Sequence, residues 1–268
     1  MADERRDRPA TSGSRSRASA ASAVSPWAHV RNQGVWDSVG DLVRQRQADL
    51  GRALQVLDLG GGSGGLAVPL AELGHEVTVV DPSPNALAAL ERRAAEFGVA
   101  DRITGRQGDA DSLDGETFDL VCCHGVLEVV DDPAAALAGI ASVLTPKGHL
   151  SLLVAGRLAV VLAKALAGEV GQAREALTSA DGRWGKSDPL PRRFDVQGLV
   201  GLLDATGFTP VQVHGVRVFA DLVPSTALDS AADREALGEL ERAVAIHPQY
   251  AETLGSLGAG LHAIAQRS

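Results

Sequence analysis

The segment Asp58-Leu59-Gly60-Gly61-Gly62-Ser63-Gly64-Gly65 concentrates much of the chain's potential chemistry. It follows the apolar run Val56-Leu57 and precedes Leu66-Ala67-Val68, so a strand should turn there into a helix. Glycines at such a turn allow positive φ and close approach of the backbone to a ligand. A loop this rich in glycine with no ligand would lose stability for no return. The spacing Gly60-x-Gly62-x-x-Gly65 fits a dinucleotide fingerprint, which alone is a weak signal. The charge of Asp58 weighs against it. A dinucleotide brings an anionic pyrophosphate to this loop, and a carboxylate at the strand end repels it. A ligand carrying an ammonium and a sulfonium is attracted instead, by roughly 4 kcal/mol at ~4 Å and an effective dielectric of ~20, before desolvation.

S-adenosylmethionine (SAM) is such a ligand, and Asp58-x-Gly60-x-Gly62-x-Gly64 has the spacing of a loop that holds it. An NAD-dependent oxidoreductase is the competing reading. Asp81 ends the next apolar strand, where an acid meets ribose hydroxyls, a turn or cap role before Pro82 and Ser83 being the alternative. Asp109, in Gly108-Asp109-Ala110-Asp111, reads equally as a contact to an adenine edge or as a polar loop. His124 lies just past another strand, at the end of the sheet that faces a ligand. Glu128 reads as part of the helix that follows. Asp119, at the opposite end of the same strand, reads as structural.

These residues need a frame of alternating strands and helices, and the hydrophobic pattern supplies one. A helix is expected over Trp27–Leu50. Strands are expected at Gln55–Leu59, Glu76–Val80, Arg102–Arg106, Phe118–Cys123 and His149–Val154. Helices are expected through Leu73, at Pro84–Phe97 and at Pro133–Leu144. Ala155–Phe194 is less regular. A helix near Val196–Thr206, a strand over Val211–Phe219, a helix over Asp233–Ile246 and a last strand at Gly260–Ala265 complete the chain. The order predicts an α/β, Rossmann-like sheet, mostly parallel with an antiparallel C-terminal strand, helices on both faces.

The 268 residues suit one such domain over 26–268, with the core at 54–154 and substrate-side elements at 155–268. Residues 1–25 carry almost no large apolar side chains and are expected to be disordered. Their arginines suggest a nucleic-acid arm, but acids are interspersed. The net charge of −9 argues against strong nonspecific phosphate binding. Cys122 and Cys123 are adjacent, so on a strand they point to opposite faces and cannot readily bridge. Two thiols without a framework point to a reducing compartment. No apolar run is long enough to span a membrane, and no signal peptide is evident. A cytoplasmic location is expected, with no metal and no obligate protein partner.

The block from Asp58 through Asp81, Asp109 and His124 to Leu144-Thr145-Pro146-Lys147-Gly148-His149-Leu150 resembles class I SAM-dependent methyltransferases. A narrower resemblance is carried by Arg31-Asn32-Gln33-Gly34-Val35-Trp36, by His124-Gly125-Val126-Leu127-Glu128-Val129-Val130-Asp131-Asp132-Pro133 and by Gly215-Val216-Arg217-Val218-Phe219-Ala220-Asp221. These look like the bacterial tRNA carboxymethoxyuridine methyltransferases, which esterify the carboxylate of a modified wobble uridine. The resemblance implies that Arg31, Gly61, Gly62, Asp81, Asp109, Ala110 and His124 line a SAM site, with Asp58, Gly60 and Gly64 completing the loop.

No Cys or Lys is suited to nucleophilic attack. A carboxylate acceptor would need no base, because it is ionised near neutral pH. It would need a cation to orient it, and an arginine fork is suited to that. The resemblance makes Arg217 the candidate, with Arg192 and Arg193 behind it. A hydroxyl or amine acceptor would need a base, and His124 would serve. The acceptor is thus a modified tRNA or a small carboxylate or hydroxyl metabolite. A noncatalytic SAM-binding protein is the reading from another class.

Overall fold

The computed structural model describes residues 26–113 and 115–268; the side chains of residues 26–33 and 111, and the amino-terminal segment expected to be disordered, lie outside that description. A long helix, α1 (Pro26–Leu50), leads into β1 (Gln55–Leu59), α2 (Ala67–Glu72), β2 (Glu76–Asp81), α3 (Pro84–Glu96), β3 (Ile103–Gln107) and β4 (Phe118–His124). Then come α4 (Pro133–Val143), β5 (Leu144–Ala155), α5 (Arg157–Leu166), α6 (Val170–Thr178), α7 (Val196–Ala205), β6 (Phe208–Val216), α8 (Ala231–Ala245), α9 (Ala251–Gly255) and β7 (Gly260–Arg267).

The strands form one sheet in the order β3-β2-β1-β4-β5-β7-β6. The first five are parallel, and β7 runs antiparallel to both of its neighbours. This is the expected fold class. The strand order reverses between β1 and β4, and the crevice at such a switch point receives ligands.

Each face of the sheet buries its own apolar cluster. Val35, Val39 and Val43 of α1 join Val68, Leu70 and Leu90 over one face, with Cys122. Leu137 and Ile140 of α4 join Leu199 and Leu203 of α7 over the other, with Cys123. The two free thiols therefore sit back to back across the sheet. Helix starts follow the local chemistry. The Ser83 and Asp132 side chains accept from backbone N–H groups of the first turns of α3 and α4, and proline opens both helices. Asp195 and Ser230 cap α7 and α8 in the same way.

Three expectations shift. The fifth strand begins earlier than expected, at Leu144, because its pairing with β4 slips between Phe118 and Leu120 and takes in the Thr145–Gly148 turn. The sixth runs Phe208–Val216 instead of Val211–Phe219. It stops there because Arg217 adopts a left-handed backbone, φ 57°, which cannot continue a ladder. The irregular stretch after β5 contains two short helices, α5 and α6. Among the described residues, no helix is long and apolar enough to cross a membrane.

Candidate active site

The glycine loop leaves β1 at the switch point. Gly60, Gly62 and Gly64 have φ of 72°, 57° and 79°, conformations that side-chain-bearing residues rarely adopt. Space is a second restriction. A Cβ on Gly60 would lie 2.5 Å from Val126, and one on Gly61 would lie 2.4 Å from Asp58 Oδ2. On Gly62 the nearest atom would be Asp81 Oδ2 at 3.9 Å, and nothing lies within 4 Å on Gly65. The loop is thus packed tightly from below and open above, a cradle for a flat or extended ligand.

Asp58 is only 3% exposed and lies beneath this loop. Its Oδ2 has no hydrogen-bond partner among the described residues. Burial, with the nearby Asp81 charge adding to it, raises its pKa to about 7. Asp81 ends β2 beside it. Its Oδ2 accepts from Gly62 N–H at 2.9 Å, and its Oδ1 accepts from Ser83 N–H at 2.8 Å. Asp109 lies on the exposed loop after β3, where its N–H donates to Ser112 Oγ at 2.8 Å. Ala110 beside it is buried. Arg31 belongs to α1, but its side chain is outside the described set.

His124 ends β4 and is partly buried. Its Nε2 is 2.9 Å from Ser151 Oγ, which is 2.8 Å from His262 Nε2. Burial lowers the His124 pKa to about 4. Glu128 departs from expectation. It sits in the turn before α4, whose cap is Asp132, and not in the helix. It is buried, and its Oε1 accepts from Ala155 N–H at 2.6 Å, linking the ends of β4 and β5.

The three candidate arginines have different fates. Arg192 is tied to the carbonyls of Leu127, Val130 and Asp131. Arg193 forms a bidentate, buried pair with Asp188, at 2.5 and 2.9 Å. Arg217 makes only a loose pair, 3.6 Å from Asp221, and its Nε has no hydrogen-bond partner among the described residues. It borders a cavity of 270 Å³ at the carboxyl end of β5, walled by Ala155, Val160, Ala163, Leu222 and Leu257. Sequence reasoning missed what holds this arginine in place. Glu241 of α8 accepts from the N–H groups of Val218, Phe219 and Ala220, at 2.8 to 3.0 Å. A glutamate in mid-helix carries no sequence mark of such a role.

Fold and cradle together define a class I, SAM-dependent methyltransferase, and comparison with known proteins agrees. A family model described as a methyltransferase domain matches residues 57–150. The tRNA 5-carboxymethoxyuridine methyltransferase of Escherichia coli (strain K12) is 32% identical over 179 residues, 65% of this chain and 67% of that protein. The ubiquinone biosynthesis O-methyltransferase of Azorhizobium caulinodans is 34% identical over 119 residues, 44% of this chain and 46% of that one. Among solved structures, magnesium protoporphyrin IX methyltransferase from Synechocystis PCC 6803 with bound SAH superposes with a TM-score of 0.57 at 19% identity, covering 89% of this chain and 86% of that one. The chain belongs to the class I SAM-dependent methyltransferases. The oxidoreductase reading of the glycine loop falls with that assignment.

Proposed function

We propose that this enzyme methylates a carboxylate oxygen of its acceptor, with Arg217 orienting the carboxylate. The carrying observation is the state of Arg217. It alone of the three candidate arginines has no close side-chain hydrogen bond among the described residues, and it stands at the wall of a cavity at the carboxyl end of β5.

SAM, when bound, supplies an activated methyl group. The chain's own residues do the rest. In this reading Gly60, Gly61, Gly62 and Gly64 admit the ligand closely. Asp81 holds the loop through Gly62 and accepts from ribose hydroxyls, and Asp109 and Ala110 border the adenine. Asp58 acts from beneath the loop, as a buried carboxyl that a cation above it would draw into the ionised form. The family resemblance adds Arg31, on α1, as a cofactor contact.

Arg217 meets the acceptor carboxylate in a planar fork, with Asp221 as the counter-ion it replaces. The carboxylate is already ionised near neutral pH, so no base is required. His124 is poorly suited to be one. With its pKa near 4 it is neutral at physiological pH and a weak proton acceptor. This argues against a hydroxyl or amine acceptor. The apolar walls of the cavity suit a compact ring that bears the carboxylate. A modified tRNA uridine and a free metabolite both meet that description. The likeness to the tRNA enzyme over two thirds of its length supports the former.

The test uses SAM labelled in its methyl group, incubated with the enzyme and with separate RNA and metabolite fractions. The label should enter one fraction and be released as methanol by mild alkali, as a methyl ester would. Alkali-stable label would refute the carboxyl reading. Absence of transfer to any fraction would favour a noncatalytic SAM-binding protein.

A further inference from the structure

Behind His124 lies a row of polar side chains that crosses the sheet. His124 on β4, Ser151 on β5 and His262 and His214 on the antiparallel strands share the face covered by α1. Ser151 and His262 are fully buried. The Ser151 hydroxyl stands between the two imidazoles, 2.9 Å from His124 Nε2 and 2.8 Å from His262 Nε2. His214 packs edge-on against His262 with ring centroids 5.0 Å apart.

We infer that Ser151 and His262 are positioning residues that hold neutral His124 with its proton on Nδ1, so that it presents a hydrogen-bond donor to the cleft. A neutral imidazole carries one N–H, and a hydroxyl donates once. If Ser151 accepted from both rings, its own buried proton would have no acceptor among the described residues, so two concerted directions are open to the chain. If His124 donates from Nε2 to Ser151, and Ser151 donates to His262 Nε2, the His262 proton must sit on Nδ1. That nitrogen is enclosed and has no partner among the described residues. It would be an orphaned buried N–H, which is rare in folded proteins. In the other direction His262 donates from Nε2 to Ser151, and Ser151 donates to His124 Nε2. His262 Nδ1 is then only an unused lone pair, the lesser defect. The His124 proton falls on Nδ1, which is not among the enclosed, unpartnered atoms.

The chemical consequence rests on the carboxylate reading above. A donor facing the cleft suits an anionic acceptor oxygen, or a cofactor carboxylate. A hydroxyl acceptor would want the opposite, a lone pair there. The chain therefore sets the polarity of the cleft from two strands away.

The experiment is long-range ¹H–¹⁵N correlation of the histidine rings in uniformly labelled protein, at neutral pH and with no acceptor present. His124 is assigned by its loss in His124→Asn. The expected pattern shows His124 protonated on Nδ1 and His262 on Nε2. His124 protonated on Nε2 overturns the inference, whatever the acceptor proves to be. Ser151→Ala should convert His124 to a mixture of tautomers and lower kcat by ~3–10-fold, the scale of one hydrogen bond. Ser151→Thr keeps the hydroxyl and should restore both. If Ser151→Ala leaves the tautomer unchanged, Ser151 does not set it and the inference fails. Where Ser151→Ala does not fold, the wild-type and Ser151→Thr spectra decide. Failure of the carboxyl reading shows instead as alkali-stable label, with the ring spectra unaffected.

Discussion

Asp81 Oδ2 accepts the Gly62 N–H at 2.9 Å, so the acid at the end of β2 is bonded to the loop that follows β1. One side chain thus shapes the cradle and also faces the expected position of the ribose. Asp81→Ala removes both roles. SAM affinity should fall by about 1.5–3 kcal/mol for each charged hydrogen bond lost. Calorimetry with S-adenosylhomocysteine reads this directly. An unchanged dissociation constant would remove Asp81 from the site.

Arg217 should show opposed effects on stability and turnover. Its backbone lies at φ 57°, a strained conformation for a residue with a Cβ. Arg217→Gly relieves that strain, and the protein should be as stable as the parent or more stable by about 1 kcal/mol. Acceptor turnover should nonetheless collapse. Arg217→Lys should also be poorly active, because an ammonium cannot reproduce the planar fork. SAM binding should survive in both. A marked loss of melting temperature in Arg217→Gly would show that the guanidinium is structural.

The pH dependence of the rate separates the acceptor classes. With an ionised carboxylate acceptor and neutral His124, kcat should be flat between about pH 6 and 8. A rate that climbs through roughly pH 6.5, and that His124→Ala abolishes, would instead identify a hydroxyl or amine acceptor with His124 as base.

Stability should fall in mild acid. His75, His124, His149, His214 and His262 all have pKa values lowered by burial. Between the folded and unfolded values the unfolded chain binds more protons, so stability is full above about pH 6.5 and is lost as pH falls towards 4. Asp58 works the other way. Its pKa is raised to about 7, so the folded state binds its proton more tightly, and its contribution declines as pH rises from about 4 to 7. Five histidines, with Asp119 and Asp188 whose pKa values are lowered, stand against Asp58 and Glu128, whose pKa values burial raises, and should leave a net loss on acidification. A melting temperature that holds steady or rises from pH 7 to 5 would contradict this balance.

Much of the fold was legible because parallel strands buried on both faces read as short apolar runs, as at Val56–Leu59 and Leu120–Cys123, with glycine or a cap residue marking the turns. The places of most cofactor-side candidates in the fold were legible for a related reason. Asp81 and His124 end strands, and the glycine loop and Asp109 follow strands, all of which the same pattern locates. What stayed hidden depends on contacts distant in sequence. Glu128 looked helical because its neighbours are apolar, yet Ala155, across two strand ends, captures its carboxyl. Arg217 looked like a strand residue, since only Glu241 and the left-handed turn show where β6 stops. The histidine row is invisible in sequence because Ser151 and His262 are 111 residues apart.

The placement of β7 between β5 and β6 bears on how the molecule is made. β7 must emerge from the ribosome before β6 has a partner, because among the described residues β6 pairs with β7 alone. The five parallel strands and their glycine cradle can assemble from earlier sequence, as domains often begin to do during synthesis. The β7–β6 edge of the sheet cannot. Until residues 260–267 are threaded in, His124 and Ser151 lack His262, and the turn at Arg217 has no neighbouring strand to rest against. A chain stalled before residue 260 would carry a formed cradle beside an unpaired, partly apolar strand edge, a surface prone to aggregation.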